Sequence, residues 1–409
     1  MHLAIVSPYP PSITGIGQYG YYVSQLLAQS GVFRQVTILT GAAGESLYSQ
    51  VYEPVSAVIP SPIQIEYAWR SNQWRTGWKI RAQLQRLKPD LVWFNLGASV
   101  FGRSPLSNLS GFFSPAWARR AGIPTIVTLH ELVELADLRT LNAPGGPFAI
   151  YGARLLTSLG LQADVVCLTM RHYADWLAER QPNMRHMHIP IGAYHAPELL
   201  LESNSQELLF FTTLAPFKGL EVLLDAFRKL KPDYPNLRLT IAGVEHPRFP
   251  GYAQQLREQF KELSGVHWAG QIPEDQVRDL FQQAQIVALP YNASTGSSSV
   301  LYQAAMWGRS IVTSDLAETQ NVVCESGLEV TYFDRGSVDS LANALKMQID
   351  SPSLRCAQIQ RNFSAIQRNR PEETCRAYLQ AFNIALETRR SPKRIIIPSA
   401  SQVEARGRI

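Results

Sequence analysis

The chain has 409 residues, 45% hydrophobic and 17% charged, which is room for two or three domains with sizeable cores and excludes global disorder. Its formal charge of +5 is concentrated at one end, where residues 387–409 carry Arg389, Arg390, Lys393, Arg394, Arg406 and Arg408 against Glu387 and Glu404. The rest of the chain is left at +1, which excludes an extended nucleic-acid-binding surface.

The chain opens on Met1-His2-Leu3-Ala4-Ile5-Val6, which reads as a buried strand rather than a charged leader before an apolar stretch. No uncharged apolar run reaches the length of a membrane span. The expected setting is cytoplasmic, soluble or peripheral on the inner face of a membrane. Short apolar runs alternate with helical periods, the pattern of parallel-sheet α/β units. Expected strands in the first half are Leu3–Ser7, Gln35–Thr40, Leu91–Asn95, Pro124–Leu129, Asp164–Leu168 and His186–Pro190. Amphipathic helices such as Tyr19–Gln29 and Trp78–Leu87 lie between them. Periodicity stops over Ile191–Gln206 and then restarts with strands Glu207–Thr212, Leu237–Gly243, Val266–Gly270, Ile286–Pro290 and Ser310–Ser314. Two doubly wound domains are therefore expected, 1–195 and 196–370, followed by a helix over 371–386 and a basic, disordered tail over 387–409. Ligands of such sheets bind in the crevice at the strand C-terminal ends. The four cysteines, Cys167, Cys324, Cys356 and Cys375, have no paired spacing and are expected as reduced, buried thiols.

Gly15-Ile16-Gly17-Gln18-Tyr19-Gly20 matches the G-x-G-x-x-G dinucleotide fingerprint in letters only. Pro8, Pro10 and Pro11 separate it from the first strand, and the second strand ends Leu39-Thr40-Gly41-Ala42 without the carboxylate that binds a ribose. A glycine loop entering a helix still offers free N–H groups to an anion. The alternative is a tight loop whose glycines only permit close packing. In the second half, Pro216-Phe217-Lys218-Gly219 follows a strand and opens a helix, so Lys218 can counter phosphate charge. Ile241-Ala242-Gly243 ends a strand. Ala288-Leu289-Pro290-Tyr291 runs through Asn292-Ala293-Ser294-Thr295-Gly296-Ser297-Ser298-Ser299 into a helix carrying Gln303, an arrangement suited to cradle a diphosphate.

In this order and spacing the chain resembles the retaining family 4 glycosyltransferases of the GT-B fold. The resemblance extends over about residues 1–386 and is clearest in the C-terminal half. Gly308-Arg309-Ser310-Ile311-Val312-Thr313-Ser314, Leu129-His130-Glu131 and Ile189-Pro190-Ile191-Gly192 fall where that family has its landmarks. It implies an α/β architecture of two Rossmann-like domains facing across a cleft, with the last helix crossing back to the first. It also implies transfer of a sugar from a nucleotide diphosphate sugar to a hydroxyl acceptor such as a glycan, glycolipid or lipid-linked sugar, with retention at the anomeric carbon.

Under that resemblance His130 and Lys218 are the catalytic candidates. The donor-binding candidates are Gly15, Gly17, Thr213, Thr295, Gly296, Ser297, Ser298, Ser299 and Gln303. There is no Asp-x-Asp motif, so no metal is expected, and the donor is a substrate rather than a cofactor. Three positions depart from the family, which usually has arginine at Thr213 and glutamates at Thr295 and Gln303. A neutral site points to the alternative of a non-catalytic GT-B-like protein that binds a sugar nucleotide or a partner enzyme. A nucleotide-sugar epimerase would share the donor half. Finally, Trp69–Lys88 holds three tryptophans (Trp69, Trp74, Trp78), six basic residues and no acidic one. This composition suits contact with an anionic membrane surface as well as an ordinary helix with a solvated basic face.

Overall fold

The computed structural model describes residues 1–10, 14–42, 62–132, 135, 147–203, 205–294, 296–390, 395 and 397, with only the backbone of 147–149. The described residues divide into two compact units, one formed by those of 1–136, 144–194 and 371 onward, the other by those of 195–370.

In the first unit the elements run β1 (His2–Val6), α1 (Gly15–Gln29), β2 (Gln35–Gly41), β3 (Ile63–Trp69), α2 (Thr76–Leu87), β4 (Leu91–Leu96), α3 (Pro105–Phe112), α4 (Ser114–Arg120), β5 (Thr125–Leu129), α5 (Pro147–Gly160), β6 (Val165–Leu168), α6 (Arg171–Arg180) and β7 (His186–His188). The sheet order is β3-β2-β1-β4-β5-β6-β7, parallel throughout. Strands β1, β4, β5 and β6 are buried along their whole length, as strands covered on both faces must be. The order reverses between β1 and β4, and there Ser7 follows β1 while Asn95 sits near the end of β4.

The second unit runs β8 (Glu207–Phe211), α7 (Leu220–Leu230), β9 (Arg238–Ala242), α8 (Tyr252–Gln259), β10 (Val266–Gly270), α9 (Val277–Gln283), β11 (Ile286–Leu289), α10 (Ser299–Met306), β12 (Ser310–Ser314), α11 (Ala317–Ser326), β13 (Thr331–Phe333), α12 (Val338–Asp350) and α13 (Pro352–Ile366). Its parallel sheet has the order β10-β9-β8-β11-β12-β13, reversing between β8 and β11. Helix α7 shows why these segments are helical. Leu220, Leu223, Leu224, Phe227 and Leu230 recur at steps of three and four on one buried face, and each such side chain contributes about 1.5–3 kcal/mol when removed from water.

The last helix, α14 (Pro371–Thr388), belongs to the first unit. Tyr378 sits at its centre, its hydroxyl 2.8 Å from Tyr19 Oη and 2.9 Å from Thr128 Oγ1. Thr128 Oγ1 in turn accepts from Trp93 Nε1 at 2.8 Å, so α14 is tied to α1, β4 and β5 by buried polar contacts.

Four sequence expectations change. Strand β3 was not anticipated, and Trp69 closes it, buried against Phe101 at 5.2 Å between ring centres; it is no part of an exposed tryptophan face. Glu66 on the same strand pairs with Arg86, so that helix face is less purely basic than its own residues suggest. The start of the tail is ordered: Arg389 Nε donates to Asp164 at 2.9 Å, and the backbone of buried Ile395 exchanges two hydrogen bonds with the Asn383 carboxamide. Cys167 and Cys375 are buried, with thiols pushed up to about 12 by desolvation, whereas Cys324 and Cys356 are exposed.

Candidate functional site

In each unit the candidate residues gather at the strand ends where the sheet order reverses, the position at which open α/β sheets bind ligands.

In the first unit, Gly15 and Gly17 lie in the first turn of α1 rather than in a free loop. Thr14 caps the helix, its Oγ1 accepting from the Gly17 amide at 2.9 Å, so that N–H is already engaged. Gly20, the third glycine of the pattern, is the one packing requires: a Cβ there would stand 2.3 Å from Ser7 Oγ and 2.9 Å from Asn95 Nδ2. This close approach lets Asn95 reach three partners. Its Nδ2 donates to Ser7 Oγ and to the Ile16 carbonyl, each at 2.9 Å, and its Oδ1 lies 2.6 Å from His130 Nε2. His130 follows β5 and is nearly buried, its ring edge-on to Tyr19 at 4.9 Å. Desolvation pushes its pKa down to about 3, so the imidazole is neutral near pH 7. Sequence reading found His130 and the glycines but missed Ser7, Thr14, Tyr19 and Asn95. For Ser7 and Asn95 the signal was positional, a polar residue at the end of an apolar strand.

In the second unit, the turn Pro216–Lys218 packs directly on the segment after β11. The amides of Asn292 and Ala293 donate to the Phe217 carbonyl at 2.9 and 3.2 Å. Gly219 adopts φ 69°, and a Cβ on it would stand 1.8 Å from the Pro290 carbonyl oxygen, so only glycine fits this crossing. The result is that Lys218 Nζ stands 3.8 Å from the centre of the buried Tyr291 ring. Tyr291 Oη is 3.5 Å from Ser298 Oγ, and Ser298 is the N-cap residue of α10, without a side-chain cap bond of its own. Ser297 Oγ is buried beside the Tyr302 hydroxyl, which Ser326 engages at 3.0 Å. Lys218, Tyr291, Ser297 and Ser298 thus converge on a helix N-terminus, a combination of one cation, hydroxyls and amide dipoles suited to a diphosphate.

Gln303 lies inside α10 and is 3% exposed. Thr213 is half-buried just beyond β8, and Gly296, Ser297, Ser298 and Ser299 are half-buried around the start of α10. Thr295 lies outside the described residues. Arg309, noted only as a landmark, is structural: it is fully buried, and its guanidinium donates to the carbonyls of Leu200, Leu201, Ala284 and Trp307. Among the described residues no group of three or more His, Cys, Asp or Glu is positioned to hold a metal ion.

Two family models match, one described as glycosyl transferase 4-like domain over residues 14–192 and one as glycosyl transferases group 1 over 205–350. The chain belongs to the family 4 glycosyltransferases. Among its relatives is the phosphatidyl-myo-inositol mannosyltransferase of Mycolicibacterium smegmatis, 28% identical over 156 residues, which are 37% of this chain and 38% of that protein. The lipopolysaccharide 1,2-N-acetylglucosaminetransferase of Salmonella typhimurium is 23% identical over 152 residues, 36% of this chain and 40% of that one. The chain thus spans less than half the length of the curated relatives it matches. Solved structures agree over far more of the chain. Sucrose-phosphate synthase of Thermosynechococcus elongatus superposes with a TM-score of 0.69 at 16% identity, covering 93% of this chain and 98% of that one. Anabaena HepE, solved in complex with UDP-glucose, gives 0.63 at 16% identity with the same coverage. These likenesses show that this family member has the GT-B fold of two parallel-sheet α/β domains.

Proposed function

We propose that this chain transfers a sugar from a nucleoside diphosphate sugar to a hydroxyl acceptor, with retention of anomeric configuration and without a metal. The observation that carries the proposal is the Lys218–Tyr291–Ser298 arrangement on the N-terminus of α10, in a chain of this family. The bond from the anomeric carbon to the β-phosphate oxygen breaks, and the negative charge that grows on the departing diphosphate is met by the Lys218 ammonium and the α10 amides. The acceptor oxygen bonds to the same face of that carbon, and its proton passes to a phosphate oxygen. On this reading the protein holds and orients the partners and supplies no covalent nucleophile.

The acceptor is proposed to be a glycan or a lipid-linked sugar presented at the inner face of a membrane. Trp74 and Trp78 are 54% and 59% exposed and pack edge-on at 5.4 Å. Helix α2 packs on α3 and α3 on α5, and these neighbours expose Leu106, Ile150, Tyr151 and Leu155. Among the described residues no helix is long and apolar enough to cross a membrane, so the contact proposed is peripheral.

The neutral residues Thr213 and Gln303 favour the second reading, a family member that binds a sugar nucleotide without catalysis. Calorimetric titration with UDP- and GDP-sugars, followed by transfer assays with lipid-linked and free saccharide acceptors, separates the two. Binding with transfer supports the enzyme, binding without transfer the second reading, and no binding overturns both.

A further inference from the structure

We propose that Asn95 is a positioning residue that holds His130 as the Nε2–H tautomer, so that Nδ1 is left to accept a hydrogen bond from a substrate hydroxyl. This rests on the transferase reading for the substrate; the tautomer itself stands on geometry alone.

The argument is one of donors and acceptors. The Ile16 carbonyl can only accept, and it lies 2.9 Å from the Asn95 carboxamide, so the atom facing it is the Nδ2 donor. The second Nδ2 hydrogen goes to Ser7 Oγ at 2.9 Å, which is free to accept because its own proton goes to the Pro8 carbonyl at 2.6 Å. Both carboxamide hydrogens are therefore committed, and the carboxamide cannot be turned over without setting two oxygens against each other. What remains for His130 is Oδ1, 2.6 Å from Nε2. An oxygen without a proton cannot donate, so Nε2 carries the hydrogen.

A second proton on the imidazole is opposed by its surroundings. The groups set against the ring from α1 and β4 are Tyr19 and Asn95, neither of them charged, and Thr169 after β6 donates to the His130 backbone carbonyl. The adjacent carboxylate, Glu131, is engaged by the Ala98 amide at 3.0 Å. Burial lowers the pKa far below the working range. Nδ1 thus keeps its lone pair, and it has no hydrogen-bond partner among the described residues. A histidine held this way accepts from a sugar or acceptor hydroxyl and cannot donate to one from Nδ1. Asn95 does more than fix a tautomer. Because the same carboxamide grips the Ile16 carbonyl in the first turn of α1, it joins the glycine segment and His130 into one rigid piece.

The test reads the ring directly. The long-range proton–nitrogen spectrum of histidine-labelled full-length protein, with the His130 signals assigned by their loss in His130→Gln, should show Nε2 protonated and Nδ1 unprotonated, unchanged from about pH 8 to 5. In Asn95→Leu, similar in size but without an acceptor, the two tautomers should mix and the His130 signals should move. In Asn95→Asp a carboxylate faces Nε2, and the ring should gain an Nδ1 proton within that same pH range. Transfer assays should then give a kcat at least about tenfold lower in both variants, equivalent to about 1.4 kcal/mol, with donor affinity unchanged. A wild-type ring protonated at Nδ1, or signals that stay in place in both folded variants, would overturn the proposal. The wild-type spectrum needs no variant to fold. If the tautomer is found but no acceptor is ever glycosylated, the transferase reading fails and the role of Asn95 in holding the ring survives.

Discussion

The ammonium of Lys218 stands 3.8 Å above the centre of the Tyr291 ring, so the face of a buried aromatic holds in place a cation of the candidate diphosphate cradle. The ring attracts the charge through its quadrupole, and a side chain with four rotatable bonds is thereby ordered before any ligand arrives. Lys218→Ala should lower turnover by about 10²–10³, or 2.7–4 kcal/mol of barrier, as for other preorganised charge-stabilising groups, with little change in unfolding midpoint. Tyr291→Phe keeps the ring and should retain most activity, whereas Tyr291→Leu should lose part of it. Single-turnover assays on the three variants check the order.

His130 gives the folded protein a signature in acid. Its pKa is near 6.5 in an unfolded chain and about 3 here, so the unfolded state takes up the proton first. The stability this ring allows is present above pH 6.5 and is lost as the pH falls from there toward 3, by up to about 1.4 kcal/mol per pH unit. Denaturant titrations of wild type and His130→Gln at a series of pH values should show the difference between them change by that slope over about pH 6 to 4, and level off above pH 7. A constant difference would mean the ring is hydrated and ordinary.

At Gln303, buried inside α10, a neutral carboxamide stands where family members usually have a carboxylate. If it receives a ribose hydroxyl, Gln303→Glu should bind nucleoside diphosphates as well as or better than wild type, by on the order of 1 kcal/mol through a charge-assisted bond. Gln303→Leu should bind more weakly by a similar amount, since a hydroxyl would be buried without an acceptor. Calorimetry on the three proteins checks this, and equal affinities would remove Gln303 from the nucleotide site.

Trp74→Ala/Trp78→Ala should reduce co-sedimentation with anionic vesicles by about tenfold or more, since burying a large apolar side chain contributes about 1.5–3 kcal/mol. Unfolding should be unaffected because both rings are exposed. Equal pelleting of the variant and wild type would take α2 out of any membrane contact.

Arg309 should behave as a pillar of the second unit. Its guanidinium satisfies four carbonyls and is fully buried, and burial has lowered its pKa to about 10 while leaving it charged. Arg309→Met strands those carbonyls and should cost on the order of 3 kcal/mol, read as a shift in denaturant midpoint at constant slope. Arg309→Lys should not rescue, because an ammonium cannot span four carbonyls set out for a planar fork.

Much of this protein is written in local pattern. Parallel strands buried on both faces need continuous apolar runs, and helices covering them need apolar residues at steps of three and four, so the two α/β units and their division near residue 195 are legible in one dimension. The lysine turn and the glycine-serine segment are legible as well, because a backbone that must bend sharply or approach a ligand restricts which residues can stand there. Other features exist only once distant segments meet. That Gly20 rather than Gly15 or Gly17 is the close-packed glycine depends on Ser7 and Asn95 arriving beside it. That Asn95 grips His130, that Tyr291 carries Lys218, and that Arg309 is a buried pillar all depend on strands brought together by crossover connections. Trp69 reads as one of three surface tryptophans until β3 joins the sheet edge and buries it against Phe101. Periodicity records which side of an element faces the core, but hydrogen bonds between side chains across a sheet leave no period in the chain.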